Sequence, residues 1–394
     1  MKSLLRVSDL HGCSRLAVDA ALGLTDVVES MHHTILRLPW PWGAPVTEPA
    51  SGITGLVYRS IRSVTRGVGY GLDGTLGRFA GDPEVVPLNP TRESAIALLN
   101  GVLGDHLALS HNPLAIPMSL RREGQVLTLE RDLLRASLSS TSDRLVILVH
   151  GLCMNDLKWL REGHDHGAAL AIDEGYTPLY LHYNSGLSIA SNGQQFAQLL
   201  QRLVEEWPQP VRELVIIGHS MGGLLTRSAL QYASASKQDW LRVLQHVVFL
   251  GTPHHGAPLE RGGNWLDSML AASPYTHALS RIGKVRSAGI TDLRHGEFGA
   301  PPLDSVRGKL SQTWPKGLKV QSIAASLSRT PNGLRGKLLG DGLVPVASAL
   351  GQHADVTRSL RIAKSRQWVG YDMGHLDLLG HEQVYAQILA GLRR

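Results

Sequence analysis

Cysteine is almost missing from this chain, with two in 394 residues, Cys13 and Cys153. They stand far apart in segments of different character, and neither a disulfide framework nor a metal-ligand spacing can be built from them. Long apolar runs are missing too. No stretch of about 18 uninterrupted apolar residues occurs, so a membrane-spanning helix is not expected. The first nine residues, Met1 to Asp9, lack the apolar centre of a secretory leader. Charge of one sign is not concentrated either. Lys and Arg number 39 against 33 Asp and Glu, a formal balance of +6. No dense basic run, zinc-finger or helix-turn-helix pattern accompanies it, so nucleic acid is not an expected partner. What remains is 43% apolar and 18% charged residues, a balance that supports a sizeable packed core. The expectation is a cytoplasmic protein that touches a membrane at most peripherally.

Two regimes divide the chain. Residues 1 to about 140 read as a helical extension. From 141 to 394, short β-branched runs alternate with helical patterns, the rhythm of a mostly parallel sheet with crossover helices. In the extension, Leu16, Ala20, Leu24, Val27, Val28, Met31 and Ile35 recur at helical spacing. The Pro-Trp-Pro-Trp-Gly stretch at 39–43 ends that helix, because proline lacks the required N–H. A second stripe runs Ile53, Val57, Ile61, Val64, Val68, Leu72, Leu76, with Arg59, Arg62 and Arg66 facing elsewhere. Five glycines in its second half, at 67, 69, 71, 74 and 77, each weaken an isolated helix by up to about 1 kcal/mol, and so point to close helix contact or irregular backbone. Two readings of this element stay open: packing on the catalytic half, or a basic amphipathic helix lying on a membrane surface. A third helix is expected over 93–109, and a short strand pair over 118–129.

In the second regime strands are expected at 144–149, 177–183, 213–218, 243–250, 318–325 and 366–369. Helices are expected at 194–207, 221–232 and 382–392. The strongest chemical signal is Leu214-Val-Ile-Ile-Gly218-His219-Ser220-Met221-Gly222-Gly223. A β-branched strand runs straight into Gly-x-Ser-x-Gly, and a helical pattern starts at once. Such a turn is too tight for side chains at its glycines, lifts the serine clear, and sets it at a helix N-terminus that favours developing negative charge. Ser220 is therefore the candidate nucleophile.

A serine nucleophile needs a base, and the base needs an orienting carboxylate. Downstream, Gly340-Asp341-Gly342 sets Asp341 in a glycine-flanked loop, and Met373-Gly374-His375 sets His375 in a loop before the last helix. His381 competes as the base but falls at a helix start. Asp372 and Asp377 are too near His375 in sequence to orient its ring from a separate loop. An oxyanion needs at least two aimed N–H donors. The backbone amides of Met221, just after the serine, and Leu152, in the loop after the first core strand, are the candidates.

Together with Gly251-Thr-Pro-His-His-Gly256, these segments resemble the bacterial serine lipase/esterase group of the α/β-hydrolases, including relatives of the GPI-inositol-deacylase type. The resemblance covers about 144–394. It implies an α/β-hydrolase fold, a Ser220–His375–Asp341 triad, no cofactor, no metal, and a lipid or other hydrophobic ester as substrate. An acyltransferase with the same triad, or a non-catalytic lipid-binding protein, are the alternatives. Residues 1–140 have no counterpart in the compact lipase pattern. Insertion 256–310 is read as a cap or lid, or as an ordinary packed helix pair. His254 and His255 are expected to be structural or to line the pocket. Gly163-His-Asp-His-Gly167 is expected to be hydrogen-bonded loop rather than a metal site. No sequence feature sets an oligomeric state.

Overall fold

Three of the β-branched runs form strands buried along nearly their whole length. They are β3 (Arg144–Val149), β4 (Thr177–His182) and β5 (Glu213–His219). A strand can be apolar at every position only when both its faces are covered, as in a parallel sheet flanked by helices. The computed structural model, which describes residues 6–37, 52–79, 89–138, 141–256, 287–295, 314–330 and 340–394, shows this arrangement. With β1 (Ser119–Arg122), β2 (Gln125–Val126), β6 (Leu244–Leu250), β7 (Lys319–Ser326) and β8 (Gln367–Tyr371), the strands make one sheet in the order β2-β1-β4-β3-β5-β6-β7-β8. From β4 to β8 all neighbours are parallel, whereas β1 is antiparallel to β2 and β4.

Alternate residues of each central strand feed two different cores. Leu145, Ile147 and Val149 pack with Leu214 and Ile216 against α6 (Ile189–Glu206) and α7 (Met221–Ser236), in one core with Leu134 of α4 (Arg131–Ser137). Val146, Leu148, Val215 and Ile217 face the opposite layer, where Leu170 of α5 (His166–Glu174) and Val384 and Ile388 of the C-terminal helix Glu382–Leu392 cover them. Helix α6 shows how sequence dictates the layer. Its apolar positions Ile189, Phe196, Leu200 and Leu203 are all buried. The Ser188 hydroxyl accepts from the Ser191 N–H at 3.1 Å to cap it, and Pro208 follows its end.

The chain separates into two compact units, and their division does not fall near 140. One unit comprises Met1–Arg92 with Leu107–Ala115, the other Glu93–His106 with Ile116–Arg394. Residues 93–106 and 116–140 of the expected extension fall in the sheet unit. The physical reason is that β1 continues the sheet on the free edge of β4. In addition, part of α3 (Pro90–Leu109) packs so tightly that side chains are excluded: an added Cβ on Gly104 would meet Asn184 Oδ1 at 1.9 Å. Asn184 Nδ2 also donates to the Gly104 carbonyl at 2.8 Å.

The other unit contains α1 (Val7–Arg37) and α2 (Gly52–Phe79), paired antiparallel. The glycine-rich half of α2 stays helical. Of its five glycines, Gly69 makes the close contact, where an added Cβ would stand 3.1 Å from Val18. Gly67, Gly71 and Gly74 have nothing within 4 Å. Gly77 is in ordinary contact, an added Cβ standing 3.6 Å from His11, so the expectation of close contact holds at one of the five sites.

Removing the fully buried ring of Phe196 (Phe196→Ala) should destabilise the sheet unit by about 3–5 kcal/mol. Denaturant unfolding checks this, and an unchanged midpoint would mean that α6 does not seal the sheet.

Candidate active site

The carboxyl ends of β3, β5, β7 and β8 lead into the segments singled out by sequence. Ser220 follows β5 with φ 54° and ψ −124°, a left-handed conformation rare for a residue with a side chain. Such backbone stores about 1–3 kcal/mol and persists only where its surroundings enforce it. Here they do. An added Cβ on Gly218 would meet Gly223 Cα at 2.8 Å, and one on Gly222 would meet the carbonyl oxygens of Val149 and His150 at 2.3 and 2.5 Å. Strand, turn and helix approach closer than any side chain permits. The Ser220 N–H donates to the Leu250 carbonyl at 2.8 Å, which ties the bend to β6.

Asp341 and His375 meet. His375 Nδ1 donates to Asp341 Oδ2 at 2.7 Å, and both side chains are buried. The other carboxylate oxygen accepts from the backbone N–H groups of Leu343 and Val344 at 2.9 and 2.7 Å, so the anion is solvated by the protein itself. Gly340 and Gly342, with φ of 56° and 94°, allow the loop to curl around its own aspartate. The two loops are stitched together by the His375 N–H donating to the Asp341 carbonyl at 3.1 Å. Asp377 accepts from the Gly374 N–H at 2.8 Å and so shapes the histidine loop. His381 accepts from the Gln383 N–H at the start of the last helix, away from this pair.

Ser220 Oγ and His375 Nε2 are both buried and have no hydrogen-bond partner among the described residues; they are not bonded to each other. The imidazole lies over Gly251, where an added Cβ would stand 3.1 Å from the ring, next to the strand end that holds the Ser220 amide. The Met221 N–H opens α7, and the first amides of a helix have no acceptor within it. Leu152 lies in the loop after β3, fully buried. Gly151 brings that loop against the serine, since an added Cβ there would be 3.1 Å from Ser220 Cβ. Among the described residues neither the Leu152 nor the Met221 amide donates to an acceptor.

Two supports went unnoticed in the sequence. His219 is fully buried and its Nε2–H donates to the His375 carbonyl at 3.1 Å, with the two rings 4.7 Å apart. Its only sequence signal is adjacency to the serine. Tyr183 stacks on His150 at 4.4 Å and donates its hydroxyl to the His150 carbonyl at 2.8 Å, while His150 Nδ1 bonds the Gly151 carbonyl at 2.8 Å. Together they rigidify the loop that carries Leu152.

Burial keeps these imidazoles neutral. It pulls His150 down to about 3 and His166 to about 4, and it holds His219 well below its ordinary value, helped by the nearby His375. The His164–Asp165–His166 stretch is engaged locally. His164 Nε2 and His166 Nδ1 share a 2.9 Å hydrogen bond, Asp165 caps α5, and His166 Nε2 donates to the Leu378 carbonyl at 3.0 Å. His254 is buried beside Arg227, 3.3 Å from its guanidinium, and stacks edge-on against Phe249. No group of three or more His, Cys, Asp or Glu suited to a metal occurs among the described residues. Of the insertion 256–310, only Gly256 and 287–295 fall within them; its expected lid lies outside.

Residues 184–324 match the family model of the PGAP1-like alpha/beta domain. The match lies within the sheet unit, and the fold is that of the α/β-hydrolases. Among solved structures the chain is similar to the mature Bacillus licheniformis lipase BlEst2, at 18% identity over 64% of this chain and 94% of that one, with a TM-score of 0.43. It is also similar to Aspergillus fumigatus lipase B, at 13% identity over 68% and 59% of the two chains, with a TM-score of 0.40. An esterase of Pyrococcus furiosus follows at 16% identity over 64% and 82%, with a TM-score of 0.40. No curated protein matches.

Two outcomes are expected. Gly222→Val should lower stability by about 1–3 kcal/mol through overpacking against β3; an unaltered melting temperature would contradict the close approach. Because the folded pKa values of His150 and His166 lie below the ordinary 6.5, the unfolded chain binds more protons between that value and about 4. Stability should therefore fall as pH drops from 7 to 5. A thermal midpoint flat across that window would mean that these rings are not neutral and buried.

Proposed function

We propose, on the premise of an α/β-hydrolase fold with a PGAP1-like alpha/beta domain, that this chain is a serine carboxylic-ester hydrolase acting on lipid or other hydrophobic esters. The observation that carries the reading is the constrained Ser220 at the head of α7 beside a buried His375–Asp341 pair. Two buried atoms lacking partners, Ser220 Oγ and His375 Nε2, are the groups between which a proton would pass. Hydrogen bonds of this kind are often long before substrate arrives and tighten in the complex.

In this reading Ser220 Oγ attacks the ester carbonyl while His375 Nε2 takes its proton. Asp341 holds the ring with Nδ1–H pointing inward and stabilises the imidazolium that forms. The oxyanion is received by the Leu152 and Met221 amides, with the N-terminus of α7 adding favourable field. His375 returns the proton to the departing alkoxide, and the alcohol leaves. Water, deprotonated by His375, then attacks the acyl-Ser220 ester; the acyl C–Oγ bond breaks, His375 returns the proton to Ser220 Oγ, and the acid leaves. His219 serves as a strut that fixes the backbone of the base.

Ser220→Ala should abolish turnover of p-nitrophenyl acyl esters and labelling by a fluorophosphonate. Asp341→Asn, which leaves the ring without its anionic partner, should lower kcat by about 10⁴-fold. Full activity in either variant would remove the assignment.

A further inference from the structure

Helix α3, from the expected N-terminal extension, lies against the loop that follows β3. An added Cβ on Gly101 would run into Cys153 Sγ and would stand 3.0 and 3.1 Å from Cys153 Cα and N. Glycine lets the helix backbone touch the loop backbone here. Cys153 directly follows Leu152, and its φ of 58° lies in the left-handed region, which residues with side chains seldom enter. Such a conformation persists only where contacts enforce it. Two contacts do so. One is the Gly101 surface of α3; the other is the Ser185 hydroxyl, which accepts from the Cys153 N–H at 3.0 Å.

The same helix grips the surroundings of that loop. Arg121 of β1 donates to Glu93, in the first turn of α3, at 2.9 Å, and to Asp156 of the loop at 3.2 Å; both carboxylates are buried. His182 Nδ1 stands 3.1 Å from the same Asp156. The segment that carries Ser185 is pressed on α3 as well. An added Cβ on Gly186 would run into the Asn100 carbonyl oxygen and stand 2.8 Å from Gly104 N. Ser287 donates its hydroxyl to the Gly101 carbonyl at 2.7 Å. Leu152 is thereby bracketed. Before it, Gly151 abuts Ser220 and Tyr183 stacks on His150. After it, Cys153 is fixed by α3 and Ser185, and Asp156 by Arg121. A planar peptide unit held at both flanking residues cannot rotate by itself, so the direction of the Leu152 N–H is set by these contacts.

We infer that α3 is a positioning element of the active site, and that Gly101 is the positioning residue that, through Cys153, keeps the Leu152 amide aimed at the oxyanion. The inference rests on the hydrolase reading, in which that amide is a donor. Gly101 touches neither substrate nor reacting atoms; it acts through the backbone of the loop. An oxyanion donor serves the transition state more than the bound ester. Displacing it therefore lowers kcat and kcat/KM together and leaves KM in place. A general loosening of the fold would not select that pattern.

Steady-state kinetics of the full chain on p-nitrophenyl butyrate test this, with an alkyl trifluoromethyl ketone as a second probe. Ser220 Oγ adds to the ketone carbonyl, His375 takes the hydroxyl proton, and the carbonyl oxygen becomes the anion that the amides receive. Gly101→Ala should lower kcat about 10²-fold, the loss for a misplacement near 1 Å, with KM within about twofold. Its affinity for the ketone should fall in the same proportion. Ser185→Ala, which removes the acceptor of the Cys153 N–H, should show the same pattern at up to about tenfold. Gly101→Ala/Cys153→Gly removes the sulfur and gives the left-handed position to glycine, and should recover kcat to within about tenfold of the unsubstituted chain. Where Gly101→Ala does not fold, Ser185→Ala decides alone. Unchanged kcat in Ser185→Ala or in folded Gly101→Ala overturns the inference and leaves the hydrolase reading standing. So does a kcat loss that ketone affinity does not follow, or a double variant without recovery. Absence of both ester turnover and ketone binding in the unsubstituted chain overturns the two together.

Discussion

Everything at the candidate site depends on the close approach of β5, α7 and β3 around Ser220. Backbone lies within 3 Å of where side chains would stand at Gly218 and Gly222, so the turn cannot relax into an ordinary conformation. The serine is held with positive φ at the head of a helix, its hydroxyl presented without a partner among the described residues. The two strand cores supply the stability that keeps this bend in place, since each central strand is locked by packing on both faces.

Around that bend, the neighbouring loops are oriented mainly by backbone hydrogen bonds. Asp341 is held by its own loop amides and His375 by the backbone carbonyl and carboxylate of Asp341, while His219 Nε2–H donates to the His375 carbonyl. Tyr183 and His150 do the same for the loop of Leu152. A buried carboxylate satisfied by two amides and an imidazole meets the condition under which an ion can be kept out of water. The pair is thus held in place by the fold itself.

The helical hairpin obeys a different rule. Its apolar periodicity was legible in the sequence, but periodicity says only that one face differs from another. It does not say which face meets a partner. Here the partner-facing positions are Arg62, Gly69 and Asp73, and the aliphatic stripe is exposed. Burying the stripe against α1 would have left Asp26, Glu29 and Arg62 without one another. A one-dimensional pattern of apolar positions cannot register that pairing. The same limitation applies to β1, which joins the sheet through edge hydrogen bonds to β4; edge pairing leaves little trace in composition.

The amino-acid order alone determined which strands are buried on both faces, where the tight Gly-x-Ser-x-Gly turn must fall, and which aspartate and histidine sit on loops downstream. Those features follow from local requirements: β-branched runs bounded by glycine, and side chains barred from a tight bend. Tertiary structure alone decided that the carboxylate and imidazole meet at 2.7 Å, that His219 braces His375, and that the hairpin turns its apolar stripe outward. These depend on residues distant in sequence arriving at one place, and contacts across space are not encoded in any single stretch of chain.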